Sequence, residues 1–513
     1  MEKEIIVETQ FGKVKGKKDG RYYAFLGVPF GKAPEGALRF RAPEFPEPWE
    51  GVFDATHYGP QSMQDGSFKV HAANNSEDCL NINVWTPGFG DGKKRPVVVQ
   101  YSGGGSINGG NSNPVFSGEK FCRGRDVVYM FANFRLGMLG FLYLEHLLGP
   151  DYAASGSCGL MDQILALRWI RDNAERFGGD PDNVTILGQS AGGMSVSNIL
   201  MAPSANGLYR RAITMSGANQ VVRDRETARV VTNRFLAVNG MKPEEAGQLL
   251  DMPARQIIRM QQKYLWKFNH SLGPVYDGVV LPASNAEALP AGSMDGIDVL
   301  TGYCKEEFPC TPYAAQPTDG EIQRFMKIQF GVSWPRVWQV WQERRREMPY
   351  YEAWSKMMTD YIFGDKTTRY AERLVNAGAR VWSYRWDHPG RGMRPQHGAE
   401  LRYVFGFLFD EEINAPVNAD DLYMIRLAND SFMNFIETGD PRTEDTPAWK
   451  AYQAGQEGTR LYYDMYPTAE PFPLDAYDHG VPEEELRLDE RTEDTDPEHM
   501  AAAKELETLL QWG

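Results

Sequence analysis

Along the middle of the chain, short runs of β-branched and aromatic residues alternate with longer stretches of helical period. From about residue 80, "RPVVVQY", "DVVYMFANF" and "NVTILG" read as strands. The intervening "DQILALRWIRDNAERFGG" places Ile164, Leu167, Ile170, Ala174 and Phe177 at three- and four-residue steps, which predicts a helix with one apolar face. Strands that alternate with such helices imply a mostly parallel sheet covered on both sides, an α/β architecture. Upstream, "EIIVETQFGKVKGKK" and "RYYAFLGVP" alternate at period two and predict a small antiparallel meander. Between residues 320 and 450, "FMKIQFGVSWPRVWQVWQERRREM" and "YYEAWSKMMTDYIF" predict helices packed over the sheet. A last helix is expected in "TDPEHMAAAKELETLLQ": Asp496 can cap it, Pro497 suits its first position, and Met500, Ala503, Leu506 and Leu510 form a stripe. No repeat, low-complexity tract or long linker divides the 513 residues, so one large domain over 1–513 is expected.

The formal net charge of -15 would repel nucleic acid and anionic lipid at long range, so neither is expected as a partner. No apolar run approaches the roughly 18 residues that span a bilayer. The start "MEKEIIVETQFGKVKGK" carries no apolar core of a secretion signal, so a soluble cytoplasmic protein is expected. Cys79, Cys122, Cys158, Cys304 and Cys310 are odd in number and lack C-x-x-C spacing. They predict buried free thiols rather than a disulfide framework or a zinc site. Neither G-x-x-x-x-G-K-[ST] nor H-E-x-x-H occurs, and no metal or cofactor is expected.

Two glycine-rich stretches suggest chemistry. In "NVTILGQSAGGMSVSNILM" a strand is expected to end at Leu187, a tight turn to carry Gly188-Gln189-Ser190-Ala191-Gly192, and a helix to follow. That is a nucleophile elbow: a strained turn exposes the serine Oγ above the sheet, flanking glycines permit the close strand–helix approach, and the helix N-terminus favours developing negative charge. The second stretch, "VVVQYSGGGSINGG", runs from a strand into three glycines. Such a loop brings bare backbone amides to an oxyanion, the donors expected being Gly104, Gly105 and Ala191. Taken alone, either stretch could be a turn that needs glycine for packing.

The chain resembles, over nearly its whole length, the type-B carboxylesterase family of α/β-hydrolases, which also contains the cholinesterases, and within that family it resembles the bacterial p-nitrobenzyl esterases. The likeness rests on ordered stretches: "FLGVPFGKAPEGALRFRAPE", "PWEGVFDAT", "SEDCLNINVWTP", "NFRLGMLGF", "GLMDQILALRWIRDNAERFGGDPDNVTILGQSAGG", "LYRRAITMSG" and "HGAELRYVFG". It implies an α/β-hydrolase fold with a large, mostly parallel central sheet, helices on both faces and helical cap insertions roughly at 220–290 and 315–385. It also implies a cofactor-free serine carboxylesterase acting on small to medium esters, as a monomer or homodimer. The family's acid is separated from a preceding glycine by four intervening residues, which from Gly302 in "TGYCKEEFPC" falls on Glu307, with Glu306 the competing candidate. The family's histidine loop selects His397 in "QHGAELRYVFG". Serine, glutamate and histidine then follow in the chain order of an α/β-hydrolase.

Several positions depart from the family pattern. Ser102 replaces the histidine common before the triple glycine, a position where cholinesterases carry tyrosine. Ser106 stands where an aromatic is usual, which implies a roomier or more polar acyl side. Gln189 replaces the usual glutamate and removes a charge that would attract cationic esters. Phe308 stands where glycine commonly follows the acid and puts the geometry of the Glu307 loop in question. Ser106, Gln189 and Phe308 are accordingly the candidate pocket residues. The usual partner of Cys79 near "YGPQSMQDG" is missing. Two other readings stay open: an amide or carbamate hydrolase with the same triad, and a catalytically silent binding member of the fold.

Overall fold

The structure, a computed structural model, describes residues 5–65, 75–122, 124–218, 222–268, 272–308, 318–330, 334–390, 394–406, 417–454, 456 and 458–469. The expected C-terminal helix and Cys310 lie outside these residues. Fifteen strands are found among them: β1 Ile6–Glu8, β2 Lys13–Lys15, β3 Lys17–Asp19, β4 Tyr22–Pro29, β5 Val52–Asp54, β6 Gln61–Ser62, β7 Asn75–Ser76, β8 Asn81–Thr86, β9 Arg95–Tyr101, β10 Val128–Ala132, β11 Gly179–Gln189, β12 Arg211–Met215, β13 Asp298–Cys304, β14 Arg380–Trp386 and β15 Arg460–Tyr463.

Ten of these form one sheet, in the order β15-β14-β13-β12-β11-β9-β10-β8-β4-β3. From β15 to β10 every pairing is parallel; β8, β4 and β3 complete the edge antiparallel. In place of the single antiparallel meander expected at the N-terminus there are two antiparallel hairpins divided between two sheets: β3 and β4 lie at the edge of the central sheet, and β1 and β2 join β5, paired parallel to β2, in a separate three-stranded sheet.

Alternation along the central strands supplies two cores. Val97, Val99, Val128, Met130, Val184 and Ile186 belong to one. Val98, Tyr129, Phe131 and Leu187 belong to the other. Both faces are therefore apolar, which is why these strands read as continuous hydrophobic runs. The helix Cys158–Asn173 and the helix Ala191–Met201 pack into the first core, and Ala419–Thr438 into the second. Ile164, Leu167, Ile170, Ala174 and Phe177 are all buried, as expected; Cys158–Asn173 is in fact covered almost all round, leaving only Arg168, Arg171 and Asp172 exposed.

The region 320–450 is not wholly helical, since it contains β14, a central strand. The helices Asp319–Phe330, Trp334–Glu347 and Tyr350–Met358 build a small core of their own around Met326, Val340, Trp341 and Tyr361. Asp365–Asn376, by contrast, sends Tyr370 and Leu374 into the main core. Most of the aromatics between 334 and 363 are thus packing residues. No described helix is long and apolar enough to cross a membrane.

Candidate active site

The strand order reverses between β9 and β11, and both end at the edge of the sheet where ligands bind in open α/β folds. β11 runs to Gln189, two residues beyond the expected end, so the whole turn is compressed into Ser190. That residue has φ 58° and ψ -128°, a conformation a serine adopts only when its surroundings impose it. Its N–H donates to Met215 O at 2.8 Å on β12, and its carbonyl accepts from Met194 N at 2.9 Å. The glycines follow from the crowding: a Cβ on Gly192 would lie 2.2 Å from Tyr101 O.

His397 Nε2 lies 2.8 Å from Ser190 Oγ, and its Nδ1 lies 2.5 Å from Glu307 Oε2. A carboxylate can only accept, so Nδ1 carries the proton and Nε2 is the acceptor facing Ser190. Glu307 is fully buried beyond the end of β13, whereas Glu306 is ion-paired with Arg394 and takes no part in this chain of bonds. The acid and histidine loops are stitched together: His397 N donates to Glu307 O at 2.9 Å and Glu306 N to Pro395 O at 3.0 Å.

Four partners carried no motif in the sequence. Cys304 N donates to Glu307 Oε1 at 2.8 Å, while its thiol lies 2.8 Å from Glu400 Oε2. Glu400 is fully buried, and its Oε1 has no hydrogen-bond partner. Burial, and then the neighbouring Glu307, raise its carboxyl to about 7. Thr359 Oγ1 accepts from Glu307 N at 2.9 Å. Phe363 lies 5.1 Å from the imidazole, ring centre to ring centre. The only local hint was an acidic residue three positions after His397 in "HGAELRYVFG". For His397 itself, burial pulls the pKa down, but the carboxylates of Glu307 and Glu400 outweigh it and leave it above the usual imidazole value.

The remaining candidates fall around this chain. Gln189 Nε2 stands 3.2 Å from His397 Nε2, and the Phe308 ring stacks on the imidazole at 5.2 Å. The Glu307 loop therefore accommodates Phe308 without losing its bond to His397. In the glycine loop, Gly104 and Gly105 have φ of 112° and 65°, and Gly104 O accepts from Asn108 N at 3.0 Å, closing a turn. A Cβ on Gly103 would sit 2.8 Å from Gln189 O, so bare backbone does press on the elbow. Ser102 and Ser106 are buried; Ser106 O accepts from Gly137 N at 2.7 Å. Ala191 opens the helix behind Ser190. Cys79, Cys122, Cys158 and Cys304 are free and buried, as read. Among the described residues no group of three His, Cys, Asp or Glu side chains is placed to hold a metal.

A mostly parallel sheet with a serine elbow at its strand-order reversal, and an acid and a histidine delivered from later strand ends, defines an α/β-hydrolase. The carboxylesterase family model matches residues 3–472. The para-nitrobenzyl esterase of Bacillus subtilis (strain 168) is 34% identical over 464 residues, 87% of this chain and 92% of that protein. Carboxylesterase 4A of Bos taurus is 30% identical over 519 residues, 90% and 91% of the two chains. The crystal structure of the Geobacillus stearothermophilus carboxylesterase EST55 at pH 6.2 superposes with a TM-score of 0.82 at 33% identity, over 92% of this chain and 99% of that one. The chain belongs to the carboxylesterase family, and it is a serine carboxylesterase, a hydrolase of carboxylic esters.

Proposed function

We propose that Ser190 is the nucleophile, His397 the general base and acid, and Glu307 the group that orients and stabilises the imidazolium. The observation that carries this reading is the unbroken line from Ser190 Oγ to His397 Nε2 at 2.8 Å and from Nδ1 to Glu307 at 2.5 Å. Ser190 Oγ attacks the ester carbonyl carbon as its proton passes to Nε2. The negative oxygen of the tetrahedral intermediate is met by the amides of Gly104, Gly105 and Ala191. Collapse breaks the bond to the alcohol oxygen, which takes the proton from Nε2 and leaves. Water then attacks the acyl-enzyme with the same proton transfers, releasing the acid and restoring Ser190.

Small to medium uncharged esters fit the uncharged Gln189 amide at the nucleophile. Ser106, Gln189 and Phe308 line the substrate pocket in this reading. The helical regions near 220–290 and 315–385 act as cap insertions on one domain, the Asp365–Asn376 helix within the second being the part that packs into the main core. Because all three residues of the line come from one chain, a monomer or homodimer suffices. The buried free thiols support a cytoplasmic location, and the acidic charge argues against nucleic acid or membrane as partner. The test is hydrolysis of p-nitrophenyl acetate through octanoate by wild type and Ser190→Ala. Loss of about 10⁴-fold or more in kcat is expected; equal turnover in the variant would refute the assignment.

A further inference from the structure

Three aromatic rings meet at the active site. The imidazole of His397 lies 5.2 Å from the Phe308 ring at an interplanar angle of 26°, and 5.1 Å from Phe363 at 49°. The two phenyl rings are 5.4 Å apart. Phe363 is buried at 3% exposure, but Phe308 is 41% exposed, so the accessible member of the cluster is Phe308. Leaving a phenyl ring half in water forfeits burial energy that a bound molecule would recover.

The chemistry fixes which part of a substrate comes to that ring. His397 Nε2 must lie within hydrogen-bond reach of the leaving oxygen to protonate it, so the first carbons of the alcohol sit beside the imidazole. The carbonyl oxygen, in contrast, turns toward Gly104, Gly105 and Ala191. The polar group beside Nε2 is the uncharged Gln189 amide, and Glu307 and Glu400 are fully buried. A flat, neutral alcohol is the one these surroundings suit. We propose that Phe308 is a specificity-determining residue on the leaving-group side, selecting esters of aromatic alcohols over saturated ones of the same size. This rests on the hydrolase assignment above. It is a feature of this chain: where a family member carries glycine after the acid, the ring is absent.

Two substrate series test it. Benzyl acetate and cyclohexylmethyl acetate share an acyl group and nearly match in alcohol size; benzyl acetate and benzyl hexanoate share an alcohol. Wild type should favour benzyl over cyclohexylmethyl acetate in kcat/KM by about two- to tenfold, the range of a single aromatic pair. Phe308→Leu should bring that ratio to about one, Phe308→Tyr should keep it, and the acetate-to-hexanoate ratio should hold in both. Thermal melting confirms that each variant is folded. An alcohol ratio unmoved by Phe308→Leu, or an acyl ratio that moves in its place, overturns the proposal while leaving an active hydrolase. Wild type that turns over neither series any faster than Ser190→Ala overturns the hydrolase assignment as well.

Discussion

At the scale of single residues, His397 stands over two buried carboxylates that share one small network. Cys304 joins them, its amide on Glu307 and its thiol on Glu400. An ionised Glu400 would leave Oε1 charged and unpartnered, which accounts for a carboxyl held up to about 7. In the proposed mechanism His397 works as a base only when neutral, and its pKa lies above the usual 6.5. The acid limb of kcat/KM should therefore fall above pH 6.5, activity disappearing as pH drops through it. Because Glu400 titrates in the same range, the limb should be broad, a property of the coupled pair. Glu400→Gln removes a charge that favours the imidazolium, so the limb should sharpen and move to lower pH, by about half a unit or more. A pH–rate profile of the two proteins checks this, and a shift to higher pH would contradict it. Ser190, Glu307 and His397 were legible because each lies in a local motif with fixed spacing. Glu400 and Cys304 were not, because what they do depends on each other across 96 positions of sequence.

At the scale of elements, the helical stretch from Tyr350 to Asn376 is interrupted by a π-helical turn, Thr359–Gly364. Such turns widen a helix locally and redirect its side chains. Here the turn presents Thr359 to Glu307 and Phe363 to His397, so one element braces both residues. Thr359→Val keeps the shape but leaves the buried Glu307 N–H without its acceptor, a loss of about 1–3 kcal/mol. If that loosens the acid loop, kcat should fall about tenfold with KM little changed, and Thr359→Ser should restore it. Steady-state kinetics on the three proteins decide; equal losses in the valine and serine variants would point to packing instead. Nothing in "YYEAWSKMMTDYIF" announces a π turn, since its apolar spacing suits an ordinary helix. β14 was hidden for a related reason: "RVWSYRW" is a seven-residue run flanked by long helical patterns, too short for its period to outweigh them. Only the sheet, which pairs it with β13 and β15, makes it a strand.

Across the whole molecule, the parallel sheet was readable because strand and helix periods alternate over long stretches, whereas the ties between distant segments were not. Arg39 is the clearest of these ties. Its guanidinium binds Glu77 twice, at 2.7 and 2.5 Å, and donates to the carbonyls of Leu249, Leu250 and Met252 at 3.0, 2.9 and 2.6 Å. One side chain, 7% exposed, thus fastens the N-terminal segment and the loop before β8 to the helical region beyond residue 220. The planar fork of arginine turns Nε and Nη2 to the carboxylate while Nη1 shares its two hydrogens among the three carbonyls; lysine has three donors on one atom. Arg39→Met would leave Glu77 as a nearly buried, unpaired charge with three carbonyls unserved, a loss of about 3–5 kcal/mol. None of these groups takes part in the Ser190–His397–Glu307 line, so the loss should fall on stability more than on turnover. The expected result is a lower urea midpoint, new protease cleavage between residues 241 and 268, and kcat within about threefold of wild type below the transition. Arg39→Lys should recover only part of the loss, because it restores the charge without the fork. A methionine variant as stable as wild type would mean that this tie is made only after the two regions are already held together by the apolar core they share.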